Sequence, residues 1–299
     1  MDAASPRLQQ AQGEIAAAID RSFEALLSGP SDSRDRLFEA MRYAAIGGGK
    51  RLRPLLVVAG CRLFDVDPDR ALRAGLAVEC IHVYSLIHDD LPCMDDDDLR
   101  RGKPTVHRAF DESTAILAGD SLHALAFEVL ADEATHEDPF ARAELIAELA
   151  RAAGPGGMAG GQMMDLMAQE RDLDLATVTR LQQLKTGALI GWCLEAAAIM
   201  GRVAPEGRTS LRGYARDLGL AFQIADDLLD AEGEEAKTGK RVGKDGAAGK
   251  QTFVSLLGVE RARRQAGMLV DQAIEHLHSH GEEADLLRDI ARFAVARDH

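Results

Sequence analysis

The chain has 299 residues, 35 Lys and Arg against 49 Asp and Glu, and a formal net charge of −14, which excludes the basic footprint of a nucleic-acid binder. Hydrophobic residues make up 46% and aromatics only 4%, a balance that favours helices over sheet and supplies a sizeable core. The four cysteines at 61, 80, 93 and 193 form no CxxC pair and have no zinc spacing, so reduced thiols are expected.

Helical periodicity dominates in chain order. An amphipathic segment over 8–27 is stopped by Gly29-Pro30. A second, 35–46, ends at three glycines, 47–49, and Pro54 opens a third that runs to 64. Asp67-Pro68 starts a long helix carrying Leu76, Val78, Cys80, Ile81, Val83, Tyr84 and Ile87, positions that cover most of the wheel and predict burial on nearly all sides. Further helices are predicted at 111–133, 138–153, 158–168, 174–201, 206–232, 252–280 and 283–297. No alternating run with an Asn-Gly turn suggests a strand. No linker divides the chain. The N-terminus lacks a basic segment followed by an apolar one, and no charge-free apolar stretch reaches the roughly 18 residues of a membrane span. The expectation is one cytoplasmic all-α domain over 1–299, a bundle of about ten helices around a central cavity, with no nucleic-acid partner and no integral membrane segment.

Two acid clusters interrupt this pattern. The first reads His88-Asp89-Asp90-Leu91-Pro92-Cys93-Met94-Asp95, and the second Gln223-Ile224-Ala225-Asp226-Asp227-Leu228-Leu229-Asp230. Pro92 disfavours helix at Leu91, so Asp89 and Asp90 fall at a helix C-terminus. Asp226 and Asp230 share a helix face, about 40° apart on the wheel. Carboxylates crowded at a negative helix end raise one another's pKa, and a divalent cation removes both penalties. Oxygen-only ligands favour magnesium or manganese over zinc. Basic runs stand nearby: Lys50, Arg51 and Arg53; Arg100, Arg101 and Lys103; Lys237, Lys240, Arg241, Lys244 and Lys250. Any one run alone is also what a solvated loop looks like. Together they suit a metal-bridged diphosphate.

The stretches GGGKRLRP (47–54), ECIHVYSLIHDDLPCMDDDDLRRGKPTVH (79–107), AILAGDSL (115–122), GGQMMDL (160–166), LKTG (184–187) and GLAFQIADDLLD (219–230) resemble, in family order, the trans-isoprenyl diphosphate synthases, and above all their short-chain bacterial members. The resemblance implies head-to-tail condensation of isopentenyl diphosphate with dimethylallyl or geranyl diphosphate. It implies three magnesium ions, with manganese as a substitute, held by Asp89, Asp90 and Asp95 and by Asp226, Asp227 and Asp230. Arg100, Lys185 and Lys240 would neutralise the leaving diphosphate, with Lys250 further along the same tail. Gly49, Lys50, Arg53, His82 and Arg101 would bind isopentenyl diphosphate. A local break at Lys185-Thr186-Gly187 would aim Lys185 and Thr186, with Gln223, at the allylic cation; Gln162 and Asp165 fit the GQxxDL pattern. The family commonly forms homodimers.

The motif DDxxxxD with Tyr84 five residues upstream goes, in the family, with a C15 product, farnesyl diphosphate. On the bare wheel Ser85 lies about 40° from Asp89 and Tyr84 about 140°. Geranyl and geranylgeranyl diphosphate synthases remain alternatives. A terpene cyclase fits less well, because the second cluster is aspartate-rich and an isopentenyl site is present. A non-catalytic regulatory subunit would have lost some of these residues, and a plain helical scaffold leaves both clusters unexplained.

Overall fold

The computed structural model describes residues 4–168, 173–232 and 251–296; Lys240 and Lys250 lie outside them. Among the described residues there are twelve helices of eight residues or more. In order, with two short ones, they are α1 (Pro6–Leu26), α2 (Asp35–Ala45), α3 (Leu52–Arg62), α4 (Pro68–Asp89), α5 (Val106–Ala109), α6 (Glu112–Ala131), α7 (Pro139–Ala153), α8 (Met158–Ala168), α9 (Leu175–Gln182), α10 (Ala188–Met200), α11 (Thr209–Glu232), α12 (Phe253–Leu257), α13 (Val259–Glu275) and α14 (Asp285–Ala296). Several begin with one local device. Asp67 accepts from the Asp69 and Arg70 amides with Pro68 as the first helical residue, and Asp138 accepts from Phe140 N ahead of Pro139.

Helix α4 lies against α1, α3, α6 and α10, and its buried residues run round the wheel, as the sequence predicts. Helix α11 packs on α10, α13 and α14. The two helices that carry the acid clusters are thus both held by several neighbours, and their C-terminal ends are left to chemistry.

Two features, the break at Gly258 and a short ladder, differ from the sequence expectation, and the break expected at Lys185-Thr186-Gly187 takes the form of a π segment. The predicted helix 252–280 is broken at Gly258, whose φ of +77° no helix continues, giving α12 and α13. The predicted helix 174–201 contains a π-helical segment at Gln183–Gly187. A two-residue antiparallel ladder pairs Leu99–Arg100 with Lys103–Pro104. Its turn residues Arg101 (φ +53°) and Gly102 (φ +76°) are both left-handed, as a two-residue hairpin turn requires. Helix α6 is long and apolar enough to cross a membrane by length and composition alone, although it carries Asp120 and Glu128. It packs on α2, α4, α5 and α7 through Ala115, Ala118, Leu122 and Ala126, which is how a bundle helix behaves.

Candidate active site

The first acid cluster folds back on the end of α4. Asp95 N donates to Asp89 O at 2.8 Å, Asp96 N to Leu91 O at 3.2 Å and Asp97 N to Asp90 O at 3.3 Å. The loop thereby satisfies carbonyls that a helix end leaves open. It also draws Asp95 towards Asp89. Burial pushes the Asp89 carboxyl up to about 6; Lys185 and Arg100 oppose the rise, and Asp95 and Asp90 add to it. Asp90 is buried and faces Arg100, whose Nε donates to its two oxygens at 2.7 and 2.9 Å and whose Nη2 lies 2.5 Å from Oδ1. The hairpin that delivers Arg100 was missed from the sequence. Its signal is Arg101-Gly102 between two short extended pairs, a turn with no asparagine.

The next residue of that hairpin meets different partners. The guanidinium of Arg101 lies against the backbone of Gly48 and Gly49; a Cβ at Gly49 would meet Arg101 Nη2 at 2.6 Å, and Gly49 has a φ of +81°. Only glycine suits both conditions. His82 is kept neutral: burial lowers its pKa well below the usual value, and Arg53, Arg101, Arg100 and Arg51 push the same way. Arg53 Nε is buried with no hydrogen-bond partner among the described residues. A buried donor left open in this way is the natural socket for an anion. The structure therefore brings Gly49, Arg53, His82 and Arg101 together. Lys50 sits with its ammonium 5.6 Å from the Phe293 ring centroid, in a small apolar groove with Leu52, Leu218 and Phe222.

The second cluster lies in the last two turns of α11. Its members separate by role. Asp226 is close enough to Arg53 to bear on that guanidinium. Asp227 is buried and accepts from Gln223 Nε2 at 2.9 Å and from Phe253 N at 2.9 Å. Thr186 Oγ1, in the π segment, donates to Gln223 Oε1 at 3.2 Å. Lys185 Nζ donates to Asp165 Oδ2 of α8 at 2.7 Å. Helix α8 comes so near that a Cβ at Gly161 would strike the Lys185 backbone. The π segment is thus held from two sides, by α8 and by α11, and its Thr186 and Lys185 side chains have fixed partners.

Among the described residues, no three His, Cys, Asp or Glu side chains converge closely enough to hold a metal by themselves. That fits a magnesium site, in which one or two carboxylates act with water and substrate phosphates. The hard, all-oxygen donors of the two clusters suit such an ion; Asp90 also directs oxygens to Arg100, and Asp227 to Gln223 and Phe253.

Tyr84 turns toward α6, edge-on to His88 (5.7 Å between centroids) and to His123 (4.9 Å). Ser85 Oγ donates to His82 O at 2.8 Å. A cavity of about 90 Å³ under the hairpin is lined by Tyr43, Gly48, Val83, Ile87, Asp90, Arg100 and Arg101. A groove of about 560 Å³ lies between α7, α10 and α11; it touches the π segment only at Gln183 and Gly187 and includes no residue of either acid cluster.

An all-α bundle with aspartates at two helix ends and an open cationic pocket is the architecture of an isoprenoid synthase. The sequence matches the family model for polyprenyl synthetase over residues 34–290, and the chain belongs to that family. It is 43% identical to farnesyl diphosphate synthase of Bacillus subtilis (strain 168), across 90% of this chain and 91% of that protein. It is 46% identical to geranylgeranyl pyrophosphate synthase 11, chloroplastic, of Arabidopsis thaliana, across 80% of this chain and 68% of that protein. Among solved structures it resembles an FPP/GFPP synthase from Zymomonas mobilis, with 62% identity and a TM-score of 0.90 over 97% of this chain and 99% of that one.

Proposed function

We propose that the protein is a prenyltransferase that condenses isopentenyl diphosphate with dimethylallyl or geranyl diphosphate, head to tail, to give (2E,6E)-farnesyl diphosphate. The observation that carries this reading is the separation of charge: acid clusters at the end of α4 and on α11, and beside them a cationic pocket whose Arg53 Nε has no partner among the described residues. The acid clusters would hold magnesium for one diphosphate, and the cationic pocket would take the other through its own side chains.

Asp89 and Asp95 of the first cluster, and Asp226 and Asp230 of the second, would hold the magnesium ions, three per site, with manganese as a substitute. The bound ions supply neutralisation of the leaving diphosphate. Lys185 adds a cation on the same side, while Asp165 keeps its ammonium in place. The allylic C1–O bond breaks with its electron pair leaving on diphosphate. Thr186 and Gln223 present oxygens to the allylic cation, stabilising charge as it develops. The isopentenyl double bond, oriented by Arg53, Arg101 and His82, forms the new carbon–carbon bond at C1. The proton lost from the adduct passes to the departed diphosphate, so no protein nucleophile is required.

Similarity to the Arabidopsis geranylgeranyl pyrophosphate synthase and to a Zymomonas protein named for two products favours a longer product as the second reading. We place the enzyme in the cytoplasm, as a homodimer. The test is a product assay: the protein with magnesium, isopentenyl diphosphate and C5, C10 or C15 starters, chain lengths being read by mass spectrometry. C15 as the end product from C5 and C10, with C15 itself not extended, is expected. Extension of C15 selects the longer-chain reading, and no condensation with any starter overturns both.

A further inference from the structure

The loop joining α2 to α3 has a backbone that few sequences tolerate. Gly47, Gly49 and Arg51 all lie in the left-handed region, with φ of +74°, +81° and +47°. Glycine adopts that conformation freely, but arginine does so at a cost. Arg51 is also the least exposed of the loop's cations, at 3%. Its guanidinium forks inward. Nη1 donates to Glu79 Oε1 of α4 at 2.9 Å, and Nη2 donates to Asp20 Oδ1 of α1 and to Ala45 O at the end of α2, each at 2.5 Å. The ring of Phe23 lies under the guanidinium, 5.8 Å away. The other oxygen of Asp20 accepts from Gly47 N at 3.2 Å. One carboxylate therefore ties the first left-handed residue of the loop to the last.

We propose that Arg51, through Asp20 and Glu79, is a positioning residue for the isopentenyl diphosphate pocket. This rests on the reading of Gly49, Arg53, His82 and Arg101 as that pocket. The fork fixes both ends of the stretch whose middle, Gly48-Gly49, carries the Arg101 guanidinium, and it starts the first turn of α3, from which Arg53 projects. Glu79 also lies near Arg53 and Arg101; burial lowers the pKa of both guanidinium groups, and the Glu79 charge opposes that. Arg51 itself is turned away from any substrate, with its Nη1 and Nη2 committed to protein oxygens. Its role is to hold the two cations that do the binding.

The test compares substrates. Arg51→Lys keeps the charge and loses the fork, so KM for isopentenyl diphosphate rises about tenfold or more, while kcat and KM for geranyl diphosphate stay within about threefold. Asp20→Asn, at a half-exposed position, weakens the same tie without burying an unpaired charge, and shifts KM for isopentenyl diphosphate in the same direction by a smaller factor. It carries the test alone if Arg51→Lys does not fold. A lowered melting temperature with both KM values unchanged, or equal losses for both substrates, overturns the proposal. Arg53→Ala separates the two levels. If it leaves KM for isopentenyl diphosphate unchanged, the pocket reading fails; if it raises KM while Arg51→Lys and Asp20→Asn do not, only the positioning role fails.

Discussion

Thr186 in the π segment donates its hydroxyl proton to Gln223 of α11 across 3.2 Å, and Gln223 in turn donates to Asp227, which also accepts from Phe253 N. This relay joins the π segment and α11 through side chains, and reaches the start of α12 through the Phe253 backbone amide. It aims the lone pairs of Thr186 by committing its proton.

Gln223→Leu cuts the relay at its centre. Asp227 then keeps the Phe253 amide but loses the Gln223 donor, and Thr186 loses its acceptor. A buried polar group left short of a partner costs about 1–3 kcal/mol. We expect a loss of that size in chemical denaturation. Activity with geranyl diphosphate falls about 100-fold, as for the loss of a preorganised group facing developing charge. Unchanged kcat in a folded variant would show that the relay is structural only.

Magnesium alone stabilises the protein little, because no three carboxylates among the described residues converge on one point. Magnesium with inorganic diphosphate completes the oxygen shell. At about 100 times its dissociation constant, that combination adds about 2.7 kcal/mol. Thermal unfolding with magnesium, diphosphate and both checks this, and full stabilisation by magnesium alone contradicts it. Chelation abolishes turnover.

Gly161→Ala forces a methyl into the Lys185 backbone. The π segment shifts, and with it the ion pair of Lys185 with Asp165. Overpacking of this kind costs about 1–3 kcal/mol. Activity falls further than that destabilisation alone explains, and kinetics of the folded fraction below its melting temperature measure the excess.

His82 gives stability a pH dependence. Burial and the surrounding arginines lower its folded pKa well below the unfolded value of about 6.5. The unfolded chain therefore binds more protons, and the contribution is fully present above that value and is lost as pH falls through it. Asp89, raised to about 6 by burial, acts in the opposite sense, its contribution being lost as pH rises. Subtracting His82→Gln from wild type removes the Asp89 contribution common to both. The difference in unfolding free energy between pH 7 and pH 5 is positive for wild type relative to the variant; a flat difference contradicts the assignment.

Chain length responds to two adjacent positions in different ways. Ser85→Phe places a ring one turn from Asp89 on the same face, about 40° round the wheel, and shortens the product to C10. Tyr84→Ala removes the ring that packs edge-on to His88 and His123, and lengthens the product. Mass spectrometry of products from the C10 starter distinguishes both from wild type.

Much of the site is readable because it depends on local chemistry. Pro92 placed the end of α4 at Asp89, and Asp226, Asp227 and Asp230 lie together on α11. Gly187 after Lys185-Thr186 marked a break in a good helix, and a π segment is found there. The hairpin at Arg100 was less visible, since two-residue strands have too short a period to register.

The sequence by itself determined that the chain is helical, where its helices begin, which residues form acid clusters at helix ends, and the family to which it belongs. These follow from periodicity, capping and motif order, which act over a few residues at a time. Only the tertiary structure decided how the cations and acids divide. Asp90 pairs with Arg100, Asp227 with Gln223 and Phe253, Lys185 with Asp165, and Arg51 with Asp20 and Glu79. Several of these partners lie 20 or more residues apart in the chain, brought together by helix packing. Charge complementarity fits many possible pairings of 35 cations with 49 acids, and burial against particular helix faces selects among them.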